Sequence, residues 1–207
     1  LLVITALGVI MVTGIKATCV DLRLSADHFF DKQQLFDLSI QSTLGLTEQD
    51  VLALRNVEGV QRAEGAYSET VYVMTQGKKH TTAVKTISQS GINEPYVLEG
   101  SLPTAANEIA VTKNYITASG KAIGDTVTLI EALDVEENKD ADNSEEDLDI
   151  LTEEEAPNFP NKEFVITAIV VDPMDINSSE GAASFRSTAT TDFVFFVLPE
   201  AIDSDIY

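Results

Sequence analysis

An uncharged apolar run opens the chain. Residues 1–15 read LLVITALGVIMVTGI, and the first charged side chain is that of Lys16. A membrane-spanning helix needs about 20 predominantly apolar residues, so the run fits most of such a helix. No Gly or Pro interrupts residues 16–43, and we therefore expect a trimmed transmembrane helix that continues as a stalk over residues 1–34.

Two other structures are compatible with the same run. One is the apolar region of a signal peptide, which is about 7–15 residues long and is followed by small residues at a cleavage site. The sequence Lys16-Ala17-Thr18-Cys19 is a poor cleavage site, and Lys16 stands where a lipoprotein signal needs an aliphatic residue. The other is a buried core helix. Length and flanking residues favour the membrane span.

Acidic residues dominate the charge of the chain. It has 34 Asp and Glu residues against 13 Lys and Arg residues, which gives a net charge of −21. Binding to nucleic acid or to anionic lipid headgroups requires a basic face, so the composition argues against both. One cysteine and two histidines also leave little material for a disulfide framework, a metal site or histidine-based catalysis.

The acidity is concentrated in one segment. Residues 131–156 contain 13 acidic residues and one lysine, Lys139, a net charge of −12. Like charges repel, and the few apolar residues of the segment are too scattered to offset the entropy of ordering it. We expect an insertion that is mobile on the surface, or ordered only by packing against a neighbour.

Residues 35–95 carry the pattern of an α+β lobe. Alternating apolar residues predict a strand over 35–43, and a capping-box-like start at Thr47 predicts a helix over about 47–58. We expect the Val51, Leu54 and Val57 side of this helix to pack on the strand through Leu38 and Ile40. A hairpin with a turn at 76–79 should follow.

Residues 96–207 predict a mostly-β lobe that contains the acidic insertion. Short strands are indicated at 108–111, 123–129, 163–171 and 192–198, with one or two helical turns at 114–119 closed by Gly120. The fold class is therefore α+β: an N-terminal helix, an α+β lobe over 35–95 and a mostly-β lobe over 96–207.

The order of these phrases resembles a known family. The phrases LGLTEQDVLALRNVEGV, LEGSLPTAANEIAVTKNYITASGKAIGDTVTL and FVITAIV follow an apolar helix, as in the MacB-like periplasmic core domain of FtsX-like ABC transporter permeases. The resemblance covers about residues 1–200 and rests on turn and strand residues. Two departures are the acidic insertion at 131–156 and the end of the chain at Tyr207, where the family's chain returns to the first lobe.

The resemblance implies transport without catalysis in this domain. Such permeases cross the membrane four times, and their extracytoplasmic domain lies between the first two spans. A cytoplasmic ABC ATPase would be the partner that supplies energy, and an extracytoplasmic protein could be a second partner. The implied location is the cell membrane, reached through residues 1–15, with the globular part outside the cytoplasm.

The residues carry no pattern of an enzyme site. A P-loop is excluded because Ala122 follows Gly120-Lys121 and Tyr115 stands in place of the upstream glycine. Asp140 begins an EF-hand-like run, but Glu145 and Leu151 replace the required glycine and glutamate. We assign no catalytic, cofactor-binding or metal-ligating residue, and we interpret His28, His80 and Cys19 as ordinary structural or surface residues.

Three hypotheses remain open from the sequence. The first is the outer domain of an ABC permease, which transmits ATP-driven movement to a substrate or partner. The second is a membrane-anchored surface binding module without transport function. The third, an extracytoplasmic hydrolase, is disfavoured because no nucleophile-base pair can be named.

Overall fold

A computed structural model describes residues 2–42, 44–130, 159–174 and 191–203. Its first element is the long helix α1, Leu2–Lys32. At about 1.5 Å per residue α1 is about 46 Å long, more than the roughly 30 Å hydrocarbon core of a bilayer. The expected continuous helix is confirmed. The predicted acidic insertion at 131–156 lies outside the described residues.

The apolar side chains of α1 are not packed against the rest of the protein. Val3, Ile4, Ile10 and Met11 are each about two-thirds or more exposed, and no part of the apolar window is buried. A core helix would bury these side chains, so the buried-core alternative is wrong. The hydroxyls of Thr13 and Thr18 donate to carbonyls one turn back within the helix, which satisfies them without water. Length, hydropathy and exposure therefore fit a transmembrane anchor.

Within the described residues, seven strands form one mixed sheet. The strands are β1 (Ser68–Thr75), β2 (Lys78–Thr86), β3 (Tyr96–Gly100), β4 (Glu108–Thr112), β5 (Thr126–Thr128), β6 (Glu163–Val171) and β7 (Phe193–Val197). Three further helices are α2 (Glu48–Arg55), α3 (Lys113–Ser119) and a 3-10 turn at Pro199–Ala201. The sheet order is β1-β2-β7-β4-β6-β3, with β5 beside β3 on the same edge of β6.

The sheet closes on itself. Tyr72 of β1 and Ile130, two residues beyond β5, exchange two backbone hydrogen bonds of 2.8 Å each. The inward side chains of six strands then share one core, which includes Val71, Val84, Ile109, Phe164, Ile166 and Phe195. Tyr115 of α3 lies in this core and meets the Phe195 ring edge to face, with 4.8 Å between centroids. The α+β class is confirmed, and the division near residue 95 stays a prediction.

A bulge in β6 creates a second, smaller core. The parallel register of β4 and β6 shifts so that Ile109 lies beside Ile166 but Ala110 lies beside Ala168. Thr167 is the extra residue, and the residues after it turn to the opposite face of the sheet. There Ala168 and Val170 pack with Ala110, Phe196 and Ile87. Alternation alone would have placed Ile166 and Ala168 in the same core.

The strand expected over 35–43 is not formed among its described residues. Residues 35–42 belong to no ladder, and the side chains of Leu38 and Ile40 are 84% and 54% exposed. Alternating residues form a strand only where a neighbouring strand shares its hydrogen bonds. Here the N–H of Phe36 is already used, because it donates to the Asn93 side chain at 3.0 Å.

Helix α2 begins where the sequence indicated and ends three residues early. The Thr47 N–H and hydroxyl both donate to the Asp50 carboxylate, which satisfies the helix start. At the other end the Asn56 side chain donates to the Leu52 carbonyl, and Val57 is 52% exposed. Val51 is buried as expected. The predicted contact of Val57 with a sheet holding Leu38 and Ile40 is wrong.

Val51 is the buried apolar residue of α2. The effect of a charge at this position on the free energy of unfolding tests whether the helix is packed. It is 3% exposed, so Val51→Asp would bury a carboxylate and should lower the free energy of unfolding by about 3 kcal/mol. The matched control is Leu52→Asp on the same helix, where the side chain is 47% exposed and the change should stay within about 0.5 kcal/mol. Equal urea midpoints for the two variants would show that α2 is not packed.

Candidate functional site: the junction of α1 and the sheet

Helix α1 ends in a tight turn beside the sheet. The Gln34 N–H donates to the Asp31 carbonyl at 3.2 Å, and the Leu35 N–H donates to the Phe30 carbonyl at 3.2 Å. This pair of bonds is the Schellman pattern, which needs a left-handed residue after the helix. Gln34 supplies it with φ 48°, although glycine normally stands there. A non-glycine residue holds this conformation only where its surroundings fix it.

Those surroundings are the loop that leads into β3. The side-chain nitrogen of Gln33, a residue only 6% exposed, donates to the Glu94 carbonyl at 2.8 Å. The Asn93 N–H donates to the Gln34 carbonyl at 3.1 Å, and the Asn93 side-chain oxygen accepts the Phe36 N–H at 3.0 Å. These three hydrogen bonds are called the joint below. Asn93 is itself left-handed, with φ 52°.

Aromatic packing reinforces the joint on the helix side. The rings of Phe29 and Tyr96 lie 6.1 Å apart, and the Lys32 ammonium lies 5.7 Å from the centre of the Tyr96 ring. Tyr96 is the first residue of β3. The last turn of α1 is therefore fastened to the beginning of a strand of the main sheet, both through the backbone and through side chains.

A half-buried carboxylate organises the other end of the same loop. Glu64 accepts hydrogen bonds from the hydroxyls of Ser88 and Ser90 and from the N–H groups of Gln89 and Ser90. Partial burial raises the pKa of Glu64, but these four donors outweigh it, and the net pKa is lowered. The carboxylate ties the segment before β1 to the β2–β3 loop.

The lowered pKa of Glu64 makes its contribution to stability depend on pH. The unfolded state binds the proton more readily, so the contribution is present above the ordinary glutamate pKa near 4.3 and is lost as pH falls through the lower folded pKa. We expect the melting-temperature gap between wild type and Glu64→Gln to shrink between about pH 6 and pH 3. A gap that is constant over this range would contradict the role of the charge.

A cleft of about 480 Å³ lies beside this network. It is lined by residues of α2, the segment before β1, the β2–β3 loop and the 3-10 turn: Glu48, Arg55, Glu64, Tyr67, Gln89 and Ile202. Arg55 already contacts Glu48 at 3.5 Å and the Ala63 carbonyl at 2.7 Å. The lining therefore contains charged groups that are paired within the protein, and it holds no histidine or cysteine to form a nucleophile-base pair.

The two histidines and the cysteine considered in the sequence analysis lie where the structure indicates no catalytic arrangement among the described residues. His80 Nδ1 lies 3.0 Å from an Asp192 oxygen and its ring lies 5.1 Å from that of Phe193, at the start of β7. His28 and Cys19 are exposed on α1. Within the described ranges, no group of three His, Cys, Asp or Glu side chains is placed to hold a metal ion.

Sequence reasoning missed the joint and the Glu64 network. Gln33, Asn93 and Glu64 belong to no motif, and their partners lie 61, 57 and 24 to 26 positions away along the chain. The turn residues of the run SGINEP were the only available signal, since Gly91 and Asn93 both favour positive φ.

No protein-family model matches the chain, and no curated protein does. Among solved structures, it is similar to the extracellular domain of the noncanonic ABC-type transporter YknZ from Gram-positive bacteria and to the periplasmic region of MacB from Actinobacillus actinomycetemcomitans. Identity is 10% in both cases, and the TM-scores are 0.42 and 0.39. The matches cover 76% and 77% of this chain but 64% and 56% of the two solved chains.

Proposed function

We propose that the chain is the extracytoplasmic domain of an ABC transporter permease together with a transmembrane helix, and that it transmits ATP-driven movement to a substrate or partner outside the cytoplasm. The observation that carries the proposal is the construction of α1. Its apolar side chains are exposed along its length, and its last turn is fastened to the sheet by the joint. A helix that only anchors the domain needs exposed apolar side chains, but it does not need a last turn that is fixed to the sheet.

Two further features support this function over catalysis. The order of phrases that resembles MacB-like permeases covers about residues 1–200, with the acidic insertion as a departure, and the chain contains no P-loop. The cleft beside Glu64 is lined by ion pairs and hydrogen bonds internal to the protein. The domain itself is proposed to be non-catalytic, with energy supplied by a cytoplasmic ATPase across the membrane.

The test uses the full-length permease reconstituted with its ATPase in nanodiscs. Cys19 is the only cysteine of the chain and is exposed on α1, so it accepts an environment-sensitive fluorophore. We expect the emission to change between the ATP-bound and ADP-bound states, and to stay constant with an ATPase variant that cannot bind nucleotide. An emission that is the same in all states would favour the anchored binding module.

A separate measurement tests the absence of nucleotide chemistry in this domain. Calorimetric titration of the chain with ATP and Mg²⁺ should show no saturable heat, because Gly120-Lys121 is not followed by the hydroxyl residue that a P-loop requires. Saturable binding would contradict the proposal that the ATPase is a different subunit or domain.

A further inference from the structure

Two routes connect α1 to the sheet. One follows the chain from residue 36 through α2 to β1, which begins at Ser68. The other crosses the joint from Gln33 and Gln34 to Asn93 and Glu94, and Glu94 is two residues from the start of β3. If α1 moves, the stiffer of the two routes determines which strand responds.

The route along the chain is the more flexible of the two connections. Residues 37–41 of its first part belong to no ladder, and Leu38 is 84% exposed. Leu44 is also exposed, at 90%. Because residues outside a ladder have no inter-strand hydrogen bonds to break, the distance between the ends of this segment can change at little cost. A displacement of α1 would be absorbed there before it reached α2.

The route across the joint is short and well fixed. Gln33 is buried, and two left-handed residues, Gln34 and Asn93, hold the chain directions on either side. Beyond Asn93, β3 pairs with β6 from Tyr96 to Gly100, and the Ser101 N–H donates to the Thr167 carbonyl at 3.1 Å. Since β6 also pairs with β4 and contributes Phe164 and Ile166 to the main core, β3 links the joint to that core through one strand.

We infer that displacement of α1 enters the sheet through β3, across the joint, and not along the chain through α2 and β1. This inference rests on the proposed function, because it names the element that would receive the movement of the helix. It makes Gln33 and Asn93 positioning residues: they set the direction of α1 relative to the sheet and bind no ligand for this purpose.

The test compares a variant of each route in the full chain in nanodiscs. Gln33→Ala with Asn93→Gly removes two hydrogen bonds of the joint while leaving a residue that accepts the positive φ at 93. The matched variant inserts Gly-Ser-Gly-Ser after the exposed Ser39 and lengthens only the chain route. Spin labels at Cys19 and at an exposed position of β1, Thr70→Cys, report the direction of α1 by their distance distribution.

We expect the joint variant to broaden the distance distribution and to speed amide exchange at Val97 and Leu98 about tenfold, while the insertion changes neither. The melting temperatures of both variants are measured as a control for global unfolding. A broad distribution in the insertion variant, or unchanged β3 exchange in the joint variant, would overturn the inference. Neither readout involves ATP, so its failure is distinguishable from a failure of the proposed transport function.

Discussion

Replacement of Gly100 by alanine should destabilise the protein by about 3–5 kcal/mol, because it combines backbone strain with a steric clash. Gly100 has φ 83°, in the left-handed region that side chains disfavour. A β-carbon there would lie 2.1 Å from the Thr167 carbonyl oxygen and 3.1 Å from the Ala168 α-carbon. Both neighbours are backbone of the β6 bulge, which cannot move aside without breaking the pairing of β6 with β3 or β4.

Gly77→Ala is the matched control for this substitution. Gly77 has a similar φ of 76°, but no atom lies within 4 Å of the position that its β-carbon would take. It should therefore cost only the backbone term, about 1–2 kcal/mol. Urea unfolding of both variants separates the two contributions. If they lose the same stability, the close contact between Gly100 and the bulge is not present in solution.

Replacement of Lys85 by methionine should cost about 3–5 kcal/mol, since it leaves a buried carboxylate without its cation. Lys85 Nζ lies 2.6 Å from an Asp172 oxygen, and the Asp172 side chain is only 4% exposed. The other Asp172 oxygen accepts the Met174 N–H at 2.9 Å. One backbone donor cannot replace the ammonium group, which reaches Asp172 from β2.

The control is a double variant that also removes the negative charge of Asp172. In Lys85→Met with Asp172→Asn, the amide oxygen can still accept the Met174 N–H, and the cost of burying a charge disappears. We expect this double variant to recover more than half of the loss, measured as the free energy of unfolding at neutral pH. A single variant within about 1 kcal/mol of wild type would mean that Asp172 is hydrated rather than buried.

Local sequence patterns were sufficient for the elements whose signal is local. The apolar run predicted α1, the strand pattern at 163–171 predicted β6 over its observed length, and Gly120 ended α3 as expected, with φ 72°. Each of these depends on interactions within a few residues: helix periodicity, the two-residue period of a strand, or the conformational freedom of glycine. The same holds for the start of α2, where Thr47 and Asp50 are three positions apart.

The candidate site was not predictable in this way. In the joint, Gln33 contacts Glu94 and Phe36 contacts Asn93. No local sequence pattern predicts a hydrogen-bond partner that lies about 60 residues away. The ion pair of Asp172 could not be predicted from a local pattern either, since its partner Lys85 lies 87 positions earlier. Sequence reasoning could place such residues on loops or strand ends, but it could not pair them.

The amino-acid sequence by itself determined the long apolar helix, six of the seven described strands and the hairpin turn at 76–79, because these follow from short-range periodicity and backbone preference. Only the tertiary structure decided how those parts were used. Residues 35–42 alternate like a strand but belong to no ladder, and residues 37–42 are exposed. Thr167 adds one residue to β6 and sends Ala168 to a second core. Both outcomes depend on hydrogen-bond partners from distant parts of the chain, and those partners exist only after the sheet has assembled.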